Sequence, residues 1–91
     1  MTSCAVGIIN ALGLHARAAA RFVHTASGFS SRIRVRCGNR EMDGKSIMGL
    51  LLLAAARGTT ITISAEGADE AAAVEALRAL VERGFEDTTC V

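Results

Sequence analysis

One short segment of the chain combines residue types that suit phosphoryl chemistry. His15 and Arg17 lie where a loop gives way to a helical pattern. The first N–H groups of a helix lack intrahelical partners and its dipole is positive there, so such an end binds anions, including phosphate. The same field favours a neutral imidazole with a nucleophilic nitrogen, and Arg17 would add donors for phosphate oxygens. The segment therefore predicts a phosphoryl acceptor; the plainer alternative is a helix-start histidine beside a solvated arginine.

The composition of the chain restricts the class of protein that would carry such a site. Its 91 residues, 51% of them hydrophobic, predict one domain over 1–91, with an ordered core over about 4–83 and a short tail over 84–91. A net charge of +1 gives no case for nucleic-acid binding. No apolar stretch is long enough to span a bilayer, and the first residues lack a signal-peptide pattern. We therefore expect a cytoplasmic monomer that binds neither nucleic acid nor a membrane.

The cysteines give no pattern for a disulfide framework or a zinc site. They are odd in number and widely spaced, at Cys4, Cys37 and Cys90. A reducing compartment fits this usage better than an oxidising one. We therefore expect no metal and no cofactor.

Hydrophobic periodicity predicts the elements that would position the segment. The predicted strands cover 4–9, 32–37, 40–43 and 60–65, and the predicted helices begin at Ala16, at Ile47 and after Asp69. Gly28 would end the first helix, Arg57 the second and Gly84 the third. The order β-α-β-β-α-β-α, in which strands have one polar face, predicts a two-layer α+β domain with one sheet face open to solvent.

Two local details accompany these elements. Leu12 and Leu14 flank Gly13, so both are expected to anchor the loop to the core. Asp69 precedes the last helix and is expected to cap it.

Ser46 opens the second predicted helix and has two interpretations. As an N-cap, its hydroxyl would accept a hydrogen bond from the first turn. As a regulatory phosphoacceptor, it would carry a phosphate that a helix N-terminus tolerates electrostatically. The two roles are compatible, and the sequence leaves both open.

The second helix is too apolar to bury all of its side chains. Four of them can face the core: Ile47, Leu50, Leu51 and Ala54. Met48 and Leu52 must point elsewhere, either under neighbouring loops or into solvent. We expect an exposed patch for partner docking that includes Met48 and Leu52, with Ile47 and Leu51.

The segment from Gly13 to Arg17, followed by Ala19-Ala20 and Phe22-Val23, closely resembles the phosphohistidine motif of the HPr phosphocarrier family. These are the small carriers of the bacterial phosphoenolpyruvate-dependent phosphotransferase system. The resemblance continues, in order, through about residues 4–83, including Gly28-Phe29, Lys45 to Leu50, Gly58-Thr59 and Ile63 to Gly67. It implies an open-faced β-sandwich with a four-stranded antiparallel sheet and three helices on one face.

The resemblance also implies a relay of phosphoryl transfers rather than an enzyme activity. His15 would accept the group through Nδ1 from phosphorylated enzyme I, or its nitrogen-branch counterpart, and pass it to a histidine of an enzyme IIA component. Arg17 would stabilise the phosphoryl oxygens, and the backbone N–H groups of Ala16, Arg17 and Ala18 would complete the cradle. In relatives that have an HPr kinase/phosphorylase, the serine matching Ser46 is phosphorylated. Whether the carrier would serve sugar uptake or nitrogen regulation stays open.

One position departs from the family pattern, because Ala18 stands where a proline normally follows the arginine. A proline in the first helical turn fixes φ and lacks an N–H that would be unpaired there anyway. Ala18 therefore adds a donor and loosens the junction between loop and helix. We expect function to be retained with a different phosphohistidine lifetime.

Two other classes of protein compete with this interpretation. An acyl carrier would bear phosphopantetheine on Ser46, but acyl carriers are acidic helical bundles with Asp before the serine, and here Lys45 precedes it. A regulator without transfer duty would bind partner enzymes, but such relatives often lack the histidine and this chain keeps His15 and Arg17.

Overall fold

An antiparallel four-stranded sheet forms one layer of the structure, a computed structural model that describes residues 1–86. The strand order is β1-β4-β2-β3, and every neighbouring pair is antiparallel. The strands are β1 (Thr2–Gly7), β2 (Arg32–Cys37), β3 (Arg40–Asp43) and β4 (Thr60–Glu66). Alternate side chains of the two central strands face inward: Ile33, Val35, Ile61, Ile63 and Ala65.

The second layer consists of three helices that cover this inner face. They are α1 (Ala16–Ala26), α2 (Ile47–Leu53) and α3 (Glu70–Glu82), followed by a 3₁₀ turn (Gly84–Glu86). Phe22 of α1, Leu50 of α2 and Leu77 of α3 are fully buried and join the inward side chains of the sheet in one core. The opposite sheet face is open. The predicted element order and the open-faced architecture are therefore confirmed.

The boundaries of β1 and α2 differ most from the prediction. Strand β1 begins at Thr2 and ends at Gly7, although the pattern predicted 4–9. Helix α2 ends at Leu53 instead of Arg57, because Ala54 adopts a left-handed conformation with φ of 52°. Ala54 is consequently exposed rather than inward-facing, and Leu53 takes the buried position.

The predicted cap of the last helix is wrong. Asp69 is the residue before α3, but its side chain makes no capping bond. Its carboxylate instead accepts hydrogen bonds from the backbone N–H of Ser30 and Ser31, at 2.9 and 3.0 Å, and from the Ser31 hydroxyl. Asp69 therefore joins the start of α3 to the segment that leads into β2.

The described part of the predicted tail is packed rather than loose. Phe85 is fully buried within the core, and its carbonyl oxygen accepts a 2.7 Å hydrogen bond from Nη1 of Arg21 in α1. The rest of the predicted tail, including Cys90, lies outside the described residues. Across residues 1–86, no helix is long and apolar enough to cross a membrane.

Candidate functional site

A hydrogen-bonded turn fixes the loop between β1 and α1. The N–H of Gly13 donates to the carbonyl oxygen of Asn10 at 3.1 Å, and Nδ2 of Asn10 donates to the carbonyl oxygen of Gly13 at 2.7 Å. Asn10 is buried, with 9% of its surface exposed. Sequence reasoning identified a loop here but missed Asn10 as its organiser; the signal available was an Asn three residues before a Gly.

Gly13 brings this loop against the chain that follows α2. Its φ is +63°, and an added Cβ would lie 2.5 Å from the carbonyl oxygen of Ala55. The next residue, Leu14, donates its N–H to that same oxygen at 2.9 Å. Only glycine fits here, because both the backbone conformation and the close approach exclude a side chain.

The two leucines of the loop behave differently. Leu14 is 5% exposed and packs in the core, as predicted. Leu12 is 64% exposed, so the expectation that it anchors the loop is wrong. The loop is held by Leu14, by its backbone bond to Ala55 and by Asn10, which leaves Leu12 on the surface.

His15 is the N-cap of α1. Its backbone is extended, with φ of −85° and ψ of −177°, and its carbonyl oxygen accepts the N–H of Ala19 at 2.8 Å. Its side chain makes no capping bond, so the ring does not occupy the first N–H groups of the helix. The residue is half-buried. This geometry puts an imidazole beside the positive end of the α1 dipole.

The imidazole of His15 contacts the loop through Nδ1, which lies 3.1 Å from the carbonyl oxygen of Gly13. A carbonyl oxygen only accepts hydrogen bonds, so this contact is favourable when Nδ1 carries the hydrogen and the lone pair is on Nε2. Attack through Nδ1 therefore requires that the contact opens and that the hydrogen moves to Nε2.

Arg17 and Ala18 occupy the first turn of α1 with opposite environments. Arg17 is exposed, and no salt bridge within residues 1–86 involves it. Its side chain lines an open groove along α1 together with Ala20 and His24. Ala18 is 1% exposed, so its methyl group faces the core while its N–H belongs to the unpaired first turn.

Ser46 caps α2, as the simpler of its two interpretations predicts. Its Oγ accepts a hydrogen bond from the N–H of Gly49 at 3.0 Å, and Ser46 is half-buried. The preceding residue, Lys45, donates from Nζ to the carbonyl oxygen of Phe29 at 2.7 Å. The start of α2 is therefore fixed both by its own serine and by the loop before β2.

An apolar surface lies on α2, and we call it the α2 patch. Three of its side chains are exposed: Ile47 by 42%, Met48 by 69% and Leu52 by 56%. Leu51 is partly buried and packs against the core at its edge. Met48 and Leu52 thus point into solvent rather than under a loop.

Known proteins resemble this chain over nearly all of its length. The family model described as "PTS HPr component phosphorylation site" matches residues 2–83. The phosphocarrier protein HPr of Neisseria meningitidis serogroup A is 49% identical over 85 residues, covering 93% of this chain and 96% of that protein. A multiphosphoryl transfer protein of Xanthomonas campestris is 49% identical over 70 residues, which cover 77% of this chain and 8% of that protein.

Solved structures agree with the sequence comparison. The crystal structure of HPr-C-His from Thermoanaerobacter tengcongensis has a TM-score of 0.92 and 46% identity, covering 96% of this chain and 98% of that chain. Residues 2–83, which the family model matches, contain all the strands and α-helices described above. The family model, the near-full-length identity and the common fold together establish that the chain belongs to the HPr family of phosphocarrier proteins of the bacterial phosphotransferase system.

Proposed function

We propose that His15 is the phosphoryl acceptor of this carrier. It receives the group from a phosphorylated histidine of enzyme I, or of the nitrogen-branch counterpart, and passes it to a histidine of an enzyme IIA component. The observation that carries the proposal is the position of His15 as a half-buried N-cap whose ring leaves the first N–H groups of α1 unoccupied. A phosphoryl group on this ring lies where the helix presents donors and positive potential.

The transfer itself needs positioning and charge stabilisation more than acid–base chemistry. A lone pair of the His15 ring forms the new N–P bond while the P–N bond to the donor histidine breaks, and that bonding pair returns to the donor nitrogen. The attacking atom expected from the family is Nδ1, so the 3.1 Å contact of Nδ1 with the Gly13 oxygen opens before transfer.

Arg17 and the first turn of α1 supply the charge stabilisation. The exposed guanidinium is available to phosphate oxygens, because no salt bridge among residues 1–86 engages it. The N–H groups of Ala16, Arg17 and Ala18 form the rest of the cradle. Ala18 contributes a donor that a proline would lack. Function is therefore retained without the family proline, with an altered phosphohistidine lifetime.

The α2 patch is the docking surface for the donor and acceptor enzymes. Exposed apolar side chains on a small domain mark contact sites, and Met48 adapts to more than one partner surface. The relative named multiphosphoryl transfer protein, in which the matching segment is 8% of the length, supports a role within a larger transfer relay. The carrier acts as a monomer that meets its partners in turn.

Ser46 is a second acceptor, used for regulation by a kinase of the HPr kinase/phosphorylase class. Its Oγ accepts the N–H of Gly49, which leaves the hydroxyl hydrogen available to a base of the kinase. The O–P bond forms as the bond between the γ-phosphorus of ATP and the bridging oxygen breaks, and ADP leaves with that bonding pair. Incubation with such a kinase and ATP is expected to add one phosphate, seen by intact mass, in the wild type but not in Ser46→Ala. A phosphate that persists in Ser46→Ala excludes Ser46 as the acceptor.

The acceptor role is tested with phosphoenolpyruvate and enzyme I. Wild type and His24→Ala are expected to take up one acid-labile phosphate, whereas His15→Ala takes up none. His24 is the matched control, because it is the other histidine of the chain and lies exposed on α1. Full labelling of His15→Ala would refute the proposal.

A further inference from the structure

The carbonyl oxygen of Gly13 lies within hydrogen-bond distance of three nitrogen atoms. Nδ2 of Asn10 is at 2.7 Å, the backbone N of His15 at 3.0 Å and Nδ1 of His15 at 3.1 Å. A carbonyl oxygen has two lone pairs, so three donors exceed its capacity. The shortest bond comes from Asn10 and the longest contact comes from the imidazole.

The side chain of Asn10 is buried, and its Nδ2 donates the bond to the Gly13 oxygen. It is 9% exposed, and its Oδ1 is buried without a hydrogen-bond partner among residues 1–86. An unpaired buried amide oxygen is unfavourable, and an apolar residue of similar shape would avoid it. The bond from Nδ2 to the Gly13 oxygen is therefore the feature of this side chain that offsets the unfavourable burial.

We infer that Asn10 is a positioning residue for His15: its amide competes for the Gly13 carbonyl oxygen and so weakens the contact in which Nδ1 would be held there as a hydrogen-bond donor. The inference rests on the proposed function, in which Nδ1 attacks. Attack uses the Nδ1 lone pair to form the N–P bond, while the hydrogen stays on Nε2 and the donor nitrogen takes back the pair of the breaking P–N bond. By weakening the competing contact, Asn10 favours the tautomer that reacts.

The test compares the tautomer of His15 in the wild type and in Asn10→Leu. Leucine is close to asparagine in shape, removes the Nδ2 donor and also removes the unpaired Oδ1, so the fold is expected to persist. Without the amide, Gly13 accepts from Nδ1 more strongly. The ¹⁵N shifts of the ring are expected to report a larger Nδ1–H fraction. The kcat for phosphorylation by enzyme I should fall by about two- to tenfold, the range spanned by one neutral hydrogen bond, with an unchanged KM because the α2 patch is intact.

Two further variants complete the experiment. Asn10→Asp keeps the shape and Oδ1 but lacks the amide hydrogens, so it is expected to shift the tautomer in the same direction as Asn10→Leu, even if one of the two folds poorly. Ala11→Ser, at the exposed neighbouring position, is expected to change neither quantity.

The outcomes separate this inference from the proposed function. Unlabelled His15 in the wild type would refute the proposed function, while the ¹⁵N comparison would still decide what Asn10 does to the ring. If the wild type is labelled and the folded Asn10 variants have the same His15 tautomer ratio as the wild type, the inference is overturned. A lower kcat without a tautomer change would also overturn it, because Asn10 would then only support the loop.

Discussion

The first two helices of the chain begin in opposite ways. Ser46 caps α2 with its own hydroxyl, at 3.0 Å from the N–H of Gly49. His15 begins α1 without a capping bond, and its loop is held by Asn10 within the same turn and by the chain after α2. A helix start that satisfies one of its own donors with a side chain contributes to its own stability. The start of α1, which is proposed to receive a phosphoryl group, keeps its donors vacant, and the Asn10 turn and the distant chain after α2 hold it in place instead.

The largest effect is expected where that distant support is removed. Gly13→Ala should lower the free energy of unfolding by more than about 2 kcal/mol, because the left-handed conformation alone costs about 1–2 kcal/mol and the new Cβ would lie 2.5 Å from the Ala55 oxygen. Urea denaturation measures the loss, and phosphorylation of His15 should slow with it.

Gly38→Ala is the matched control for this prediction. Gly38 has a φ of +62° but nothing within 4 Å of an added Cβ, so only the conformational cost of about 1 kcal/mol applies. Equal losses in the two variants would contradict the role of the contact with Ala55.

Alanine substitutions at Ser46 and at His15 compare the start of α2 with the start of α1. Ser46→Ala should lower the free energy of unfolding by about 1 kcal/mol through loss of the cap. His15→Ala should change it by less than about 0.5 kcal/mol, because the ring caps nothing. Phosphorylation by enzyme I should show the reverse ranking. A destabilisation of His15→Ala equal to that of Ser46→Ala would remove the contrast between the two helices.

A smaller effect is expected at the end of α2, where the chain turns towards the His15 loop. Ala54 has a φ of 52°, so Ala54→Gly should raise the free energy of unfolding by roughly 0.5–1 kcal/mol. Ala56→Gly, where φ is not positive, should lower it by roughly 0.4–1 kcal/mol. Thermal unfolding of both variants decides the sign, and a loss in Ala54→Gly would show that its conformation carries no strain.

The start of α3 differs from both others, because Asp69 accepts hydrogen bonds from Ser30 and Ser31 and its contribution to stability depends on pH. The Ser31 hydroxyl, followed by the Ser30 N–H, lowers the pKa of Asp69 from 3.8 to about 2. A group whose pKa is depressed by folding stabilises the fold above its unfolded pKa, and this contribution is lost as the pH falls through the folded value. Stability should therefore decline from about pH 4 towards pH 2.

Asp69→Asn should flatten this acid decline, measured as urea midpoints at a series of pH values. Some decline should remain, because the pKa of Glu70 is also lowered to about 2, mainly by the Thr2 hydroxyl. Glu66→Gln, at an exposed position, is the control and should leave the wild-type profile unchanged. An unaltered profile in Asp69→Asn would show that its bonds to Ser30 and Ser31 are not linked to folding.

The features that the sequence predicted are set by local patterns, and most of those that it missed depend on contacts between distant segments. The order of the elements along the chain, the start of α1 near His15 and the Ser46 cap depend on local periodicity and capping chemistry, and all were predictable. The exposure of Leu12 and the bonds of Asp69 depend on which distant segment lies opposite, whereas the role of Asn10 was missed although its bond to Gly13 is local. Ser31 and Asp69, for example, meet through tertiary packing, which no local pattern encodes. The resemblance to the HPr family supplied the chemistry of His15, but not the competition for the Gly13 oxygen.

The hydrogen bond from the Leu14 N–H to the Ala55 oxygen makes that amide a built-in sensor of the site. Its hydrogen exchanges with solvent only when the His15 loop separates from the chain after α2, so its exchange rate reports how often the loop opens. A partner that seats on the loop and on the α2 patch together would slow the exchange. Slower hydrogen exchange of the Leu14 amide would thus detect a complex that is too short-lived to survive purification.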